Sequence, residues 1–484
     1  PLTSFEAPIT FTTGTFATSP DQKFVLADVD VDGKIDIFSY SSAGFPQILI
    51  NNRTSGVIDA TTFLANNSIT NVSQTPVGGY SPKGVLTTDL NNDGKLDFAM
   101  SNSANNGGFV NINTSNSGSP SLQNYNSLLS STGSYQVNAA FLPIDINLDG
   151  RTDIFGMTGY GPSQALLYFT KNTSSGTTFS STTGNTANTN SYNQKLNDTN
   201  FYSGASGDLD GDGKMDVVLS GTGKVYVLKN TTVQGNPEVK GFSFSEPVSK
   251  PIASGIGYTV KLADLDLDGK QDVIATNSAS GQISVYKNNS TVSSLSIMDP
   301  QHFTLTGLTA TYGLALADMN GDDKPDVVVT DNATNSKIAY LENTSVSGTI
   351  SFANSVTLYA ATGVTYSQVE ITDIDGDNKP DIIVANGTNG IVIFRNRLAE
   401  AGKISSDQTI CSGSVPAPLT SVAPATFSSA GTITYKWQSS TNGITWTDIA
   451  NTNTLGYTIP SALTTTTYYR RAATNATTYY YTNP

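Results

Sequence analysis

Apolar and polar residues alternate in short runs along most of the chain, with the period of β-strands. "YTVKLAD" and "YGLALAD" alternate, whereas "DVVLS" and "DIIVAN" are continuously apolar after an Asp. A third kind of run ends in a charged residue and Asn, as in "VYVLKN", "ISVYKN", "IAYLEN" and "IVIFRN". A weaker fourth run carries a Phe: Phe63, Phe179, Phe244, Phe303 or Phe352. No amphipathic helix pattern exceeds about two turns, and no apolar run reaches the roughly 18 residues of a membrane span. The pattern predicts an all-β chain of short strands without membrane insertion.

The four kinds of run recur in order around one motif. Its copies are "ADVDVDGKIDIF" (27 to 38), "TDLNNDGKLDFA", "IDINLDGRTDIF", "GDLDGDGKMDVV", "ADLDLDGKQDVI", "ADMNGDDKPDVV" and "TDIDGDNKPDII". They begin at Asp28, Asp89, Asp145, Asp208, Asp264, Asp318 and Asp373, spaced 54 to 63 residues apart. A period near 55 without helices fits four-stranded blades, so residues 1–398 are expected to form a seven-bladed β-propeller. Each motif falls in the loop between a blade's first and second strands. The seventh blade lacks a fourth strand after "IVIFRN". "TSFEAPITF" (3 to 11) resembles "FSFSEPVSK" and is expected to supply that strand, closing the ring and removing an open edge.

The spacing D-x-[DN]-x-D-G-x-x-D sets oxygens at positions 1, 3, 5 and 9, and a left-handed residue at position 6 lets the carbonyl of position 7 join them. The candidate ligands are Asp28, Asp30, Asp32, Lys34 and Asp36; Asp89, Asn91, Asp93, Lys95 and Asp97; Asp145, Asn147, Asp149, Arg151 and Asp153; Asp208, Asp210, Asp212, Lys214 and Asp216; Asp264, Asp266, Asp268, Lys270 and Asp272; Asp318, Asn320, Asp322, Lys324 and Asp326; and Asp373, Asp375, Asp377, Lys379 and Asp381. The Lys and Arg residues enter through their carbonyls. Such a set of hard oxygens suits Ca2+, at about seven sites. The first half resembles an EF-hand loop, but strands flank it and no Glu stands at position 12. Asp323 and Asn378 replace the glycine, and both types tolerate left-handed backbone.

Charge supports a cation. The chain carries 39 acidic residues against 25 basic ones, and 25 of the acidic residues stand at motif positions. Packing them without a counter-ion is unfavourable, and seven Ca2+ would offset the formal net charge of −14. The same charge argues against nucleic acid, since no basic stripe is present to meet phosphates. The single histidine, His302 in "DPQHFTLTG", reads as a strand-edge residue and limits triad or zinc chemistry. Because the carboxylate cluster occurs seven times, it reports architecture, and no catalytic residue is expected.

At this point the copies resemble FG-GAP or VCBS repeats, the blades of integrin-α-like propellers. That resemblance implies calcium at these loops and frequent use as an extracellular adhesion or glycan-binding head. Six blades carry a Tyr before the first strand: Tyr80, Tyr135, Tyr202, Tyr258, Tyr312 and Tyr366. These tyrosines either pack between blades or form an aromatic ring that stacks on a ligand. The polar stretch at 180 to 200 reads as a surface loop. The Asn-x-Ser/Thr triplets at Asn52, Asn172, Asn230, Asn289 and Asn343 read as turn composition.

Residues 399–484 lack the motif and read as a small β-sandwich with Trp437 inward. "TICSG", "YKWQSS", "WTDIA" and "TTTTYYRR" resemble the Ig-like repeats of large bacterial surface adhesins, including those of gliding bacteria with type IX secretion. A second cysteine is common in those repeats, but Cys411 is alone here and cannot pair within the chain. The opening "PLTSFEAP" and the ending "YTNP" suggest a processed or excised piece with further stalk repeats beyond it. The expected function is a secreted or cell-surface, calcium-stabilised, non-catalytic binding head. Its partner would be an extracellular glycan or protein, with secretion or surface machinery as a further partner. The alternative is a polysaccharide-active, lyase-like enzyme, which would need a base and charge-neutralising groups in a groove.

Overall fold

The computed structural model describes residues 5, 8–11, 24–40, 46–53, 58, 62–66, 82–102, 107–126, 136–160, 164–174, 179–184, 196, 201–233, 243–387, 390–396, 402–405, 407–425, 432–474 and 479–482. All regular structure among them is β. Two compact units are present, Ala7–Arg395 and Pro1–Glu6 with Asn396–Pro484. Phe5 forms an isolated antiparallel bridge with Asn396 in the second of these.

Among the described residues the larger unit holds seven small antiparallel sheets, each numbered by the motif copy it contains. Sheet 1 is Phe24–Ala27, Asp36–Tyr40, Pro46–Asn51 and Phe63–Asn66, hydrogen-bonded in that order. The first strands of sheets 2 to 7 are Pro82–Thr88, Gln136–Ile144, Phe201–Gly207, Val260–Ala263, Thr311–Ala317 and Tyr366–Thr372. In sheet 4 the second and third segments run as one strand, Asp216–Leu228, whose two halves pair with Phe201–Gly207 and with Val248–Ile256. In sheet 7 the outer position belongs to Ile9–Phe11, which pairs antiparallel with Gly390–Phe394 in the register Ile9 to Ile393 and Phe11 to Ile391.

Consecutive sheets meet through their first strands, from sheet 1 through to sheet 7. Sheet 7 then returns to sheet 1: the Gln368 side chain accepts from the Phe24 N–H at 3.0 Å and donates to the Phe24 carbonyl at 2.8 Å. The amide thereby engages both backbone groups of a residue 344 positions away. The strands are short and apolar on both faces, and the core lies between neighbouring sheets rather than inside any one of them. Val25, Phe38 and Ile48 of sheet 1 pack on Val85, Phe98 and Leu122 of sheet 2. Phe24 and Ile37 join Ile383, Ile391 and Ile393 of sheet 7, together with Phe11. The Phe38 and Phe98 rings stack at 4.0 Å. This arrangement of sheets is propeller-like.

Among the described residues the smaller unit contains two sheets, Lys403–Ile404 with Ser421–Ala423, and Thr447–Asp448, Thr434–Ser440, Tyr468–Thr474 and Tyr480–Tyr481. Trp437 is fully buried with Leu419 and Ile459, and its indole N–H donates to the Thr454 carbonyl at 3.1 Å. Beside it the fully buried Arg471 donates to Ser421 Oγ and to the carbonyls of Leu455 and Ala423. Cys411 is exposed. No helix among the described residues is long and apolar enough to cross a membrane.

Candidate metal centres

Every motif copy occupies the loop between the first and second strands of its sheet, and position 9 is the first residue of the second strand. The loop winds around its own carboxylates. At position 1 the two oxygens of Asp28 accept the N–H groups of Asp32 at 3.0 Å and Gly33 at 2.8 Å. The same pair of bonds recurs on Asp89, Asp145, Asp208, Asp264, Asp318 and Asp373. At position 5, one oxygen accepts the N–H of position 7 in all seven loops.

Position 6 is left-handed throughout, from Gly33 at φ 85° to Asp323 and Asn378 at 64°, so the two loops without glycine keep the same turn. Position 4 is left-handed as well. Gly211, Gly321 and Gly376 accommodate it, but Val31, Leu148 and Leu267 also adopt φ between 55° and 59°. Sequence reading found the first of these turns through its glycine. It missed the second, because Val and Leu carry no turn signal.

Position 9 is the most enclosed. Asp36, Asp97, Asp153, Asp216, Asp272, Asp326 and Asp381 are all fully buried. One oxygen accepts the N–H of position 2: Val29 and Leu90 at 2.8 Å, Leu209 at 3.0 Å, Leu265, Met319 and Ile374 at 3.1 Å, and Ile146 at 3.4 Å. The other accepts the N–H of the Asn that ends the third strand: Asn51, Asn113, Asn172, Asn230, Asn288 or Asn343, in the first six sheets. Burial pushes Asp36, Asp97, Asp153 and Asp216 up to about 7, and Asp272 and Asp326 to about 6, against the opposing pull of these N–H donors. Burial, with the charges of Asp32 and Asp28, also raises Asp30.

The strand-end asparagines are structural staples between sheets, a role that turn composition does not give Asn172, Asn230 and Asn343. Each side-chain amide reaches the carbonyl of position 2 in the preceding sheet: Asn113 to Val29, Asn172 to Leu90, Asn230 to Ile146, Asn288 to Leu209 and Asn343 to Leu265. Asn51 reaches Ile374, carrying the chain of bonds from sheet 7 to sheet 1. The triplets at Asn172, Asn230 and Asn343 therefore have buried, engaged amides that are closed to a glycan. Their partners lie about 80 positions away in sequence, which no local pattern displays.

Among the described residues, four loops bring three carboxylate oxygens within 4.8 Å of one another: Asp28, Asp30 and Asp32; Asp208, Asp210 and Asp216; Asp264, Asp266 and Asp272; and Asp373, Asp375 and Asp381. Asp30 Oδ1 and Asp266 Oδ1 are buried without a hydrogen-bond partner. A buried orphan carboxylate oxygen beside two others is costly unless a cation meets it. These all-oxygen clusters fit a hard metal ion, which would supply that positive charge and draw both strand ends together.

Residues 145–219, 208–275, 264–329 and 318–384 match the FG-GAP-like repeat family. Residues 145–384 thus carry four FG-GAP-like repeats. Members of this repeat family commonly bind calcium, and the four matched stretches contain the motif loops that begin at Asp145, Asp208, Asp264, Asp318 and Asp373. Residues 400–483 match a domain of unknown function, DUF8696. No curated protein matches the chain. Among solved structures, BBS1N in complex with ARL6DN is similar at 9% identity and a TM-score of 0.47 in lead-soaked crystals, covering 82% of this chain and 98% of that one. The mercury-soaked form gives 9% and 0.45 over the same shares. A lectin from Agrocybe aegerita, described for recognition of non-reducing terminal N-acetylglucosamine, is similar at 18% and 0.44, covering 77% of this chain and 94% of that one.

Tyr202, Tyr258, Tyr312 and Tyr366 lie at the opposite ends of the first strands from the FG-GAP-like loops. Tyr202, Tyr258 and Tyr312 form a run across sheets 4, 5 and 6, with ring centroids 5.0 and 4.2 Å apart. Tyr312 and Tyr366 are buried, and Tyr366 packs edge-on to Phe394 at 6.4 Å. Tyr80 and Tyr135 lie outside the described residues, as does most of the stretch 180 to 200. His302 is exposed on Gln301–Thr304, with Nδ1 3.0 Å from Ser284 Oγ, and that serine is fully buried.

Proposed function

We propose that the repeats form a seven-bladed, calcium-stabilised propeller that acts as a non-catalytic binding head for an extracellular glycan or protein, carried on an Ig-like stalk that begins with the C-terminal unit. The observation that carries this reading is the repetition of one acidic loop at the same place in seven sheets. Seven repeats of one loop, four of them with clustered carboxylates, favour a brace of the architecture over a single catalytic site. Calcium is favoured because every side-chain donor is a hard oxygen. The count follows from the loops, one ion to each. Secretion and surface display follow from the same reading, since millimolar calcium is met outside the cell.

Ligand recognition is assigned to the face of the Tyr202, Tyr258 and Tyr312 run, where partly exposed Tyr202 and Tyr258 offer aromatic surface with a polar tip. A glycan array probed with and without calcium tests this. Retention that needs calcium and falls at least about tenfold in Tyr202→Ala and Tyr258→Ala, with an unchanged melting transition, is expected. Full binding by both folded variants would remove the tyrosine face from the proposal. New reducing ends after incubation with polysaccharide would favour the lyase reading.

A further inference from the structure

The residue preceding the strand-end Asn divides the seven loops. It is Lys229 in sheet 4, Lys287 in sheet 5 and Arg395 in sheet 7, but Ile50, Ile112 and Glu342 in sheets 1, 2 and 6. Lys229 Nζ contacts Asp210 Oδ2, lies 3.1 Å from Asp212 Oδ2 and donates to the Ser293 carbonyl at 3.0 Å. Lys287 repeats this arrangement with Asp266 Oδ2, with Asp268 Oδ2 at 3.2 Å and with the Gly348 carbonyl at 3.0 Å. An ammonium has three donors, and in both cases all three are met. Two acceptors are the metal-loop carboxylates at positions 3 and 5, and the third belongs to a turn of the next sheet. Arg395 Nε contacts Asp375 Oδ2, and its terminal nitrogen lies 3.6 Å from Asp377. Lys171 makes a weaker version, 3.5 Å from Asp149 in a loop whose position 3 is the neutral Asn147. Position 7 lysines are different in kind. Lys34 meets only the outer Asp32, at 2.5 Å, and leaves buried Asp30 Oδ1 without a partner.

We propose that Lys229, Lys287 and Arg395 are resident counter-cations, so that loops 4, 5 and 7 hold their shape without metal, whereas loops 1, 2 and 6 depend on it. This rests on the calcium reading above and grades its sites. A divalent ion entering loop 4 or 5 must displace an ammonium already bonded to two of its ligands. One entering loop 1 has no such ammonium to displace, whereas the orphan Asp266 Oδ1 of loop 5 belongs to a carboxylate already bonded to Lys287. Loops 1, 2 and 6 therefore fill first, with affinity at least about tenfold above loops 4, 5 and 7.

Equilibrium dialysis of the full chain against graded free calcium tests this. Two classes of site are expected, and the double variant Lys229→Met, Lys287→Met moves two sites from the weak class to the tight one. Seven equivalent sites, or a double variant with unchanged classes, would overturn the grading and leave the calcium reading standing. No calcium uptake at all would overturn both. Should the double variant not fold, wild-type crystals held at micromolar calcium give the same decision. Anomalous signal confined to loops 1, 2 and 6 is expected, and equal signal in loops 4 and 5 contradicts the proposal.

Discussion

Val31 holds φ at 59° although a branched side chain crowds its own carbonyl there. The loop tolerates this because Asp28 fixes the two following N–H groups, Asp32 and Gly33, and so fixes the path of the backbone on either side. Replacing Val31 with Gly removes the clash but frees the unfolded chain. The first effect, roughly 1–2 kcal/mol, exceeds the second, roughly 0.5–1 kcal/mol. Val31→Gly is thus expected to stabilise metal-free protein by up to about 1 kcal/mol in denaturant unfolding, and a loss of stability would refute the argument. The acidic positions were legible at this scale because their spacing repeats. Position 4 was not, because its strain is borne by Val31, Leu148 and Leu267, residues whose sequence preference is for strands or helices.

At the scale of the element, the residue at position 2 is where three kinds of interaction meet. The Leu209 side chain is in the core between sheets, its N–H serves Asp216, and its carbonyl serves Asn288 of the next sheet. Asn288 also donates to the Gln271 carbonyl at 2.9 Å and accepts the Ser290 N–H at 2.9 Å. Asn288→Ala leaves the buried Leu209 carbonyl and Ser290 N–H without partners, at about 1–3 kcal/mol each before relaxation. A fall of roughly 3 kcal/mol or more in unfolding free energy is expected, whereas Asn289→Ala, at the exposed neighbour, changes little. Equal effects of the two would remove the staple. The third strand itself was readable from "VYVLKN" and "ISVYKN", and so was the Asn at its end. Its role was not, since the contact depends on which sheet comes to lie beside it.

For the whole molecule, the buried position 9 carboxylates tie stability to pH and metal together. Asp36, Asp97, Asp153 and Asp216 bind protons more tightly when folded, at about 7, than at the ordinary 3.8. Their contribution is complete below about pH 4 and is lost as pH rises through about 7. In chelator, the melting temperature is expected to fall between about pH 5 and pH 8. Calcium favours the ionised form, so the stabilisation it adds should be larger at pH 8 than at pH 5. A calcium increment that shrinks with rising pH would contradict this linkage. The pairing of Ile9–Phe11 with Gly390–Phe394 has a consequence for how the chain is made. Ile9–Phe11 is synthesised long before its partner, so the seventh sheet stays incomplete until Gly390–Phe394 has emerged. The unfinished ring exposes an open edge during that interval, and the nascent chain depends on delayed compaction or on a chaperone to keep that edge from a neighbour. A circular permutant that joins these two strands by a short loop would remove the wait.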